Sequence, residues 1–302
     1  MAKLLLPSAA LERRPGVQTP CEEEDSEADD DAFSCKSWDR TRTPDASTEV
    51  IGGQFELVQR IGRGGVASMH QGKCLRTGRL VAIKTIFKES TVDRKAALSE
   101  AAVLRALDHS QINRLVTVVE DEFNIYLVLE YSPGMDLMEM LLQSGPMEEE
   151  SAANIIQQMV EVLAYCHSHG IVHRDVKPEN IMLCGDEIML VDFGLAAEVG
   201  KVLEEGEDEG TPIYLAPEAR CGPVSCDGSL DMFSLGVALF AMLSGRLPTH
   251  RASPALSSES LLPDVSPGAR DFLAQLLAEP AQRLSASQAR EHPWLVSCGC
   301  RI

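Results

Sequence analysis

The stretch His173-Arg174-Asp175-Val176-Lys177-Pro178-Glu179-Asn180 concentrates carboxylates, cations, an imidazole and an amide in one turn of chain, and Asp192-Phe193-Gly194 follows it. That inventory suits phosphoryl transfer. Asp175 would accept the proton of an attacking hydroxyl, and Lys177 would balance charge on the moving phosphoryl group. Asn180 and Asp192 would hold magnesium ions against nucleotide phosphates. The competing reading is a surface loop with scattered charges.

In this order the two blocks resemble the catalytic and metal-binding loops of eukaryotic protein kinases. Lys177 is similar to the serine/threonine type. Val176-Lys177-Pro178-Glu179-Asn180 and the closing His292-Pro293-Trp294 resemble the calcium/calmodulin-dependent and calcium-dependent kinase group. The resemblance covers residues 54–296 and implies an α+β, bilobal fold: a small antiparallel-sheet N-lobe (54–130) and a mostly helical C-lobe (131–296). It implies the cofactors ATP and Mg²⁺ and protein substrates phosphorylated on Ser or Thr. A kinase-like scaffold whose main role is interaction is the alternative. No D-x-[DN]-x-[DN]-G loop or autoinhibitory helix is found, so calcium control would need another polypeptide.

Several elements must position these groups. Phe55-Glu56-Leu57-Val58 alternates like a strand. It leads into Ile61-Gly62-Arg63-Gly64-Gly65-Val66-Ala67-Ser68-Met69, whose glycines allow close approach to phosphates. A turn at Arg76-Thr77-Gly78-Arg79 makes this a hairpin and not the helix-opening turn of a Rossmann unit. The family's third glycine is Ala67 here, and its following valine is Met69. In Val81-Ala82-Ile83-Lys84 the resemblance makes Lys84 the phosphate-binding lysine, with Ala82 beside the nucleotide. Its expected partner is Glu100, on an amphipathic helix around 98–107.

Ile112–Val119 and Asn124–Tyr131 read as further strands. In the hinge that follows, backbone groups of Glu130 and Ser132 would bond adenine, and Asp136 would lie near the ribose. A helix is expected over Glu148–His167, with Ser151 as a partial cap, and short strands at Ile181–Leu183 and Ile188–Val191. Thr211, in Gly210-Thr211-Pro212, would bridge Asp175 and Lys177. Glu218 would pair with Arg283, and Asp231 would hold the His173-Arg174 backbone. Phe233 stands where the family has Trp. Residues 249–258 depart from the family pattern and read as loop, which puts the usual substrate-docking surface in doubt.

The net charge of −19 disfavours nucleic acid and anionic membrane and favours basic protein partners. Glu179 and Asp136 fall at the cleft mouth where related kinases hold arginines upstream of the target hydroxyl, so the resemblance implies basic residues before it. Nine cysteines without a C-x-x-C pair suggest reduced thiols and a cytoplasmic or nuclear setting. There is no membrane span, secretory signal, myristoylation site or C-a-a-X box, while palmitoylation of Cys298 or Cys300 stays open. Residues 1–53, with the acidic run Glu22–Asp31, read as a disordered tail, and 297–302 as a short C-terminal tail. Gly194 to Thr211 holds no Ser or Thr before Thr211. Either Glu207 or a neighbouring acid pairs with Arg174 in place of a phosphate, or the acidic run is a solvated loop.

Overall fold

The computed structural model describes residues 49–63, 67–88, 90–203, 211–220, 223–248, 254–258 and 260–299. The expected tail before residue 49, Gly64, Gly65 and Val66, the acidic stretch 204–210 with Glu207, residues 249–253, and Cys300 lie outside the described residues.

Alternating apolar residues build the first lobe. Strands β1 (Val50–Ile51), β2 (Phe55–Arg63), β3 (Ala67–Cys74) and β4 (Leu80–Phe87) are followed by helix α1 (Thr91–Ala106), β5 (Leu115–Glu120) and β6 (Asn124–Glu130). The strands form one antiparallel sheet in the order β1-β2-β3-β4-β6-β5. Period two sorts β4 by face. Val81 and Ile83 pack with Phe55, Tyr126 and Val128, while Ile86 packs with Ala97 and Ala101 of α1. Lys84 shares the parity of Ile86 and so meets α1. The helix is started by a capping box: Ser90 accepts the N–H groups of Val92 and Asp93, and the Asp93 carboxylate accepts the Ser90 N–H. Glu100 lies on the buried face with Ala97, Ala101 and Leu104.

The second lobe runs β7 (Met135–Asp136), α2 (Leu137–Ser144), α3 (Glu149–Ser168), β8 (Ile171–Val172), β9 (Ile181–Cys184), β10 (Glu187–Leu190), β11 (Ala197–Glu198), β12 (Val202–Leu203) and β13 (Val224–Ser225). Helices α4 (Gly228–Ser244), α5 (Pro267–Leu276), α6 (Ala286–Ala289) and α7 (Pro293–Gly299) complete it. Every residue of α4 from Leu230 to Leu243 is buried, as expected of a helix apolar on all sides. Each such Leu, Phe or Met contributes about 1.5–3 kcal/mol of burial. The helix stops at Gly245, whose φ of 68° is a left-handed cap that a side chain would resist. No helix among the described residues is long and apolar enough to cross a membrane.

The structure departs from expectation at several places. β5 begins at Leu115, because the backbone of Gln111 and Asn113 bonds Leu190 instead, leaving Ile112 an isolated bridge to β10. Ser151 lies inside α3. The cap position is Glu148, with no side-chain bond, and the acids Glu149 and Glu150 favour the positive end of the helix dipole. The sheet reaches back to β1, where Ile51 is buried, and α7 runs on to Gly299. Part of the expected loop at 249–258 is a 3₁₀ turn, Pro254–Ser257.

Candidate active site

A buried carboxylate fixes the loop between β8 and β9. Asp231 accepts the His173 N–H at 2.9 Å and the Arg174 N–H at 2.7 Å. Arg174 (φ 67°) and Asp192 (φ 62°) are the non-glycine residues of positive φ among the described residues. Such backbone costs of order 1–3 kcal/mol and persists only where its surroundings over-determine it. His167 Nε2 adds a further bond to Asp231 at 2.8 Å. Burial pushes the Asp231 carboxyl up, but the bond from His167 and the neighbouring His173 outweigh it and hold the group below the usual range.

The same loop is tied to the Asp192 segment. His173 Nδ1 accepts the Asp175 N–H at 3.2 Å, so its Nε2 carries the proton and donates to the Val191 carbonyl at 3.1 Å. The Val191 N–H donates to the Asn180 carbonyl at 3.0 Å. Phe193 is buried edge-on against His173, with ring centroids 4.6 Å apart.

Around Asp175 the polar groups converge. Its Oδ2 lies 2.7 Å from Lys177 Nζ and accepts Asn180 Nδ2 at 2.9 Å. Lys177 also donates to Thr211 Oγ1 at 2.9 Å. The expected bridge therefore runs through the lysine: Lys177 joins Asp175 to Thr211. Because Asn180 Nδ2 also donates to the Asp175 carbonyl, at 2.8 Å, its Oδ1 is turned away as the remaining acceptor.

Lys84 meets Glu100 at 2.8 Å, as the resemblance implied, and also Asp192 at 2.7 Å, which the sequence did not reveal. Residues 108 positions apart leave no local pattern to read. A Cβ on Gly194 would stand 3.2 Å from both Asp192 Oδ1 and Lys84 Nζ, so glycine leaves room for this triad. Burial works against the Lys84 charge, but Asp192 and Glu100 override it and hold the ammonium above the ordinary lysine range. Likewise burial raises the Asp192 carboxyl and Lys84 more than reverses this, lowering it.

The roof and hinge are positioned as follows. Ile61, Gly62 and Arg63 end β2, and Ala67, Ser68 and Met69 open β3, with Met69 opposite Lys84 in register. Ala82 pairs with Leu129, and Met69 packs on the core that contains both. The Glu130 N–H donates to the Arg114 carbonyl at 2.9 Å, leaving the Glu130 carbonyl as its hinge-side group, and the Ser132 hydroxyl donates to Met189 Sδ at 2.8 Å. Asp136 is buried and caps α2, its Oδ1 accepting the Glu139 N–H at 2.7 Å. Glu179 is largely enclosed, and its Oε2 is buried without a hydrogen-bond partner. Burial raises its carboxyl above the ordinary range. Arg283 holds Glu218 through a fork of 2.6 and 3.2 Å and lies 4.9 Å over the Phe233 ring. His167 escaped the sequence reading, because nothing in its surroundings marks it apart from other helix histidines.

Residues 55–295 match the family model of the protein kinase domain. The chain is 37% identical over 265 residues to a probable myosin light chain kinase of Dictyostelium discoideum, covering 80% of this chain and 66% of that protein. It is 34% identical over 254 residues to a maternal embryonic leucine zipper kinase of Xenopus tropicalis, covering 80% and 39%. It is 32% identical over 276 residues to CBL-interacting protein kinase 30 of Oryza sativa subsp. japonica, covering 86% and 58%. The chain thus spans between 39% and 66% of the length of these relatives. With the family match running over most of its length, this chain belongs to the protein kinase domain family.

Proposed function

We propose that this protein is a Mg²⁺- and ATP-dependent serine/threonine protein kinase. The observation that carries the reading is Lys177, 2.7 Å from Asp175 and 2.9 Å from Thr211, a cation set beside an acid at the end of the cleft. Asp175 accepts the proton of the substrate hydroxyl, and Lys177 neutralises charge on the group in transfer. Thr211, held by Lys177, shapes the floor on which the substrate lies.

The residues present fit magnesium and ATP. Asp192 and the Asn180 Oδ1 are hard oxygen donors. No group of three or more His, Cys, Asp or Glu among the described residues is arranged to hold a metal. Two protein oxygens are what Mg²⁺ uses when phosphates and waters complete its octahedron. Bound Mg²⁺-ATP supplies the γ-phosphoryl group and offsets its negative charge. Lys84, aimed by Glu100, would hold the α- and β-phosphates, with Ile61 and Gly62 of β2 and Ala67 to Met69 of β3 above them. The Glu130 carbonyl and Ser132 N–H hold adenine against Ala82.

Glu179 supports a basic substrate class. A buried acceptor without a donor costs about 1–3 kcal/mol, and an Arg or Lys of a bound peptide would supply that donor. Basic protein substrates also suit a chain of net charge −19. Incubation with labelled ATP and a basic protein tests the reading. Label on Ser or Thr supports it, and nucleotide binding with no label would instead make the chain a scaffold.

A further inference from the structure

Glu100 can aim Lys84 only if α1 is docked, so what fastens the entry of α1 matters. Three bonds there converge on one carboxylate at the end of β5. Glu120 Oε1 accepts Arg94 Nε at 3.0 Å and Lys88 Nζ at 3.2 Å, and Oε2 accepts Arg94 Nη2 at 3.2 Å. Lys88 Nζ also donates to the Asp121 carbonyl, and the Lys88 N–H donates to the Phe123 carbonyl at 2.8 Å. A residue just before α1 and a residue in its first turn are thereby both tied to the β5–β6 turn. Hydrogen bonds from Arg94 and Lys88 hold the Glu120 carboxyl below the usual range. Single exposed ion pairs are weak, but a bidentate fork sharing its carboxylate with a second cation is the favourable case.

The segment between Gly194 and Thr211 offers no Ser, Thr or Tyr to carry a phosphate. We propose that Glu120 is a positioning residue: it anchors the entry of α1 to the sheet, so that Glu100 meets Lys84 without a phosphate on that segment. The proposal rests on the kinase reading above. Glu120 touches no reacting group. It acts through α1, so its loss changes how often Lys84 is correctly aimed and leaves the peptide-binding surface of the second lobe alone.

The test compares Glu120→Gln with wild type in phosphate-free protein. The expected result is a kcat lower by about two- to five-fold, the scale of one exposed ion-pair network, with peptide KM unchanged and faster hydrogen exchange at α1 amides. Arg94→Glu should behave the same way, and the double variant Arg94→Glu/Glu120→Arg should regain part of the loss. Glu161→Gln, which breaks the exposed Glu161–Arg290 pair of 2.8 Å elsewhere, should change neither kcat nor α1 exchange. Wild-type kcat and exchange in Glu120→Gln, or a double variant no better than the singles, would overturn the proposal. Should the wild type transfer no phosphate, the kinase reading falls, and exchange at α1 alone decides the anchor: faster supports it, unchanged overturns it.

Discussion

Arg174 donates its backbone N–H to Asp231 over 2.7 Å while holding a φ of 67°, so one buried carboxylate maintains a strained turn next to Asp175. Asp231→Asn keeps the shape and removes the charge. We expect a loss of about 1.5–3 kcal/mol in stability, the range for hydrogen bonds to a charged group, and a fall in kcat as the turn relaxes. The Asp231 carboxyl is held below its ordinary range. Its contribution is therefore complete above the unfolded aspartate pKa and is lost as pH falls through the lower folded value. Acid unfolding of wild type and variant should converge in that low-pH window, as measured by thermal melts between neutral pH and the acid limit.

In the proposed mechanism the two loops separate nucleotide from hydroxyl chemistry. Asp192→Ala should abolish phosphate transfer and leave the fold intact, because the residue is open to the cleft and packs no core. Asp175→Asn should abolish transfer yet keep nucleotide affinity, since Asp175 meets Lys177 and Asn180 and not Lys84. Calorimetric titration of both variants with nucleotide, alongside turnover, separates these roles. Near-normal turnover in either would remove that residue from the mechanism.

Much of this arrangement was legible in the sequence because the pieces are local or periodic. The resemblance places Lys84 and Glu100, the parity of β4 and the apolar spacing of α1 agree with it, and the two polar loops carry their own signatures. The Glu218–Arg283 pair and the Asp231 bonds to the catalytic turn agree with what the resemblance implied. The Lys84–Asp192 contact, the His167 bond and the Glu120 anchor were not legible, since each joins residues from different elements with no repeating pattern. That Asp136 caps α2 was not legible either, because a carboxylate at a hinge and a carboxylate capping a helix look alike in sequence. The two-residue strands β1, β7, β8, β11, β12 and β13 are too short to show any period.

If Glu179 receives a basic side chain of the substrate as proposed, substrate preference should depend on pH. Burial raises its carboxyl above the ordinary glutamate range, so it protonates at a higher pH than a surface glutamate. The preference for basic peptides should be strongest near neutral pH and fade as pH falls toward that raised value. The ratio of kcat/KM for an Arg-containing peptide to that for its Ala counterpart, followed from pH 7.5 downward, measures it in terms that cancel general loss of activity. A ratio flat with pH, or one unchanged in Glu179→Gln, would rule Glu179 out as the recognition site.

Glu149 is a structural clip between distant segments. It accepts Trp294 Nε1 at 2.7 Å, Ser266 Oγ at 2.6 Å and the Ser266 N–H at 2.8 Å, joining α3 to the starts of α5 and α7. Glu149→Ala should cost about 1–3 kcal/mol, the range for leaving buried donors unpaired, with kcat at temperatures below unfolding little changed. Partial burial raises its carboxyl, but the bonds from Ser266 and Trp294 lower it overall. The stabilisation is present above the ordinary glutamate range and is lost on acidification through the lower folded value. Denaturant melts at neutral and acid pH check both the size and the sign.

The segment after Gly194 should be competent without phosphorylation. Its described parts are fastened by backbone: β11 pairs with β8 and β12 with β13, Leu203 is buried, and Thr211 is held by Lys177. Arg174 Nη1 donates to the Leu195 carbonyl at 3.1 Å, so the catalytic-loop arginine already engages the segment. Bacterially made, phosphatase-treated protein should therefore be active with no upstream kinase. Leu203→Ala should weaken the β12–β13 anchor and lower kcat while nucleotide binding stays intact. The acids Glu204, Glu205, Glu207, Asp208 and Glu209 complete the segment outside the described residues. A carboxylate offers one charge where a phosphate offers nearly two, so an acid paired with Arg174 would give moderate activity, and Glu207→Gln should reduce it clearly. Full activity in a variant with all five acids changed to Gln or Asn would show that the backbone ladders suffice and the acids are merely solvated. Phosphate-free protein that gains activity only after treatment with another kinase would contradict both readings.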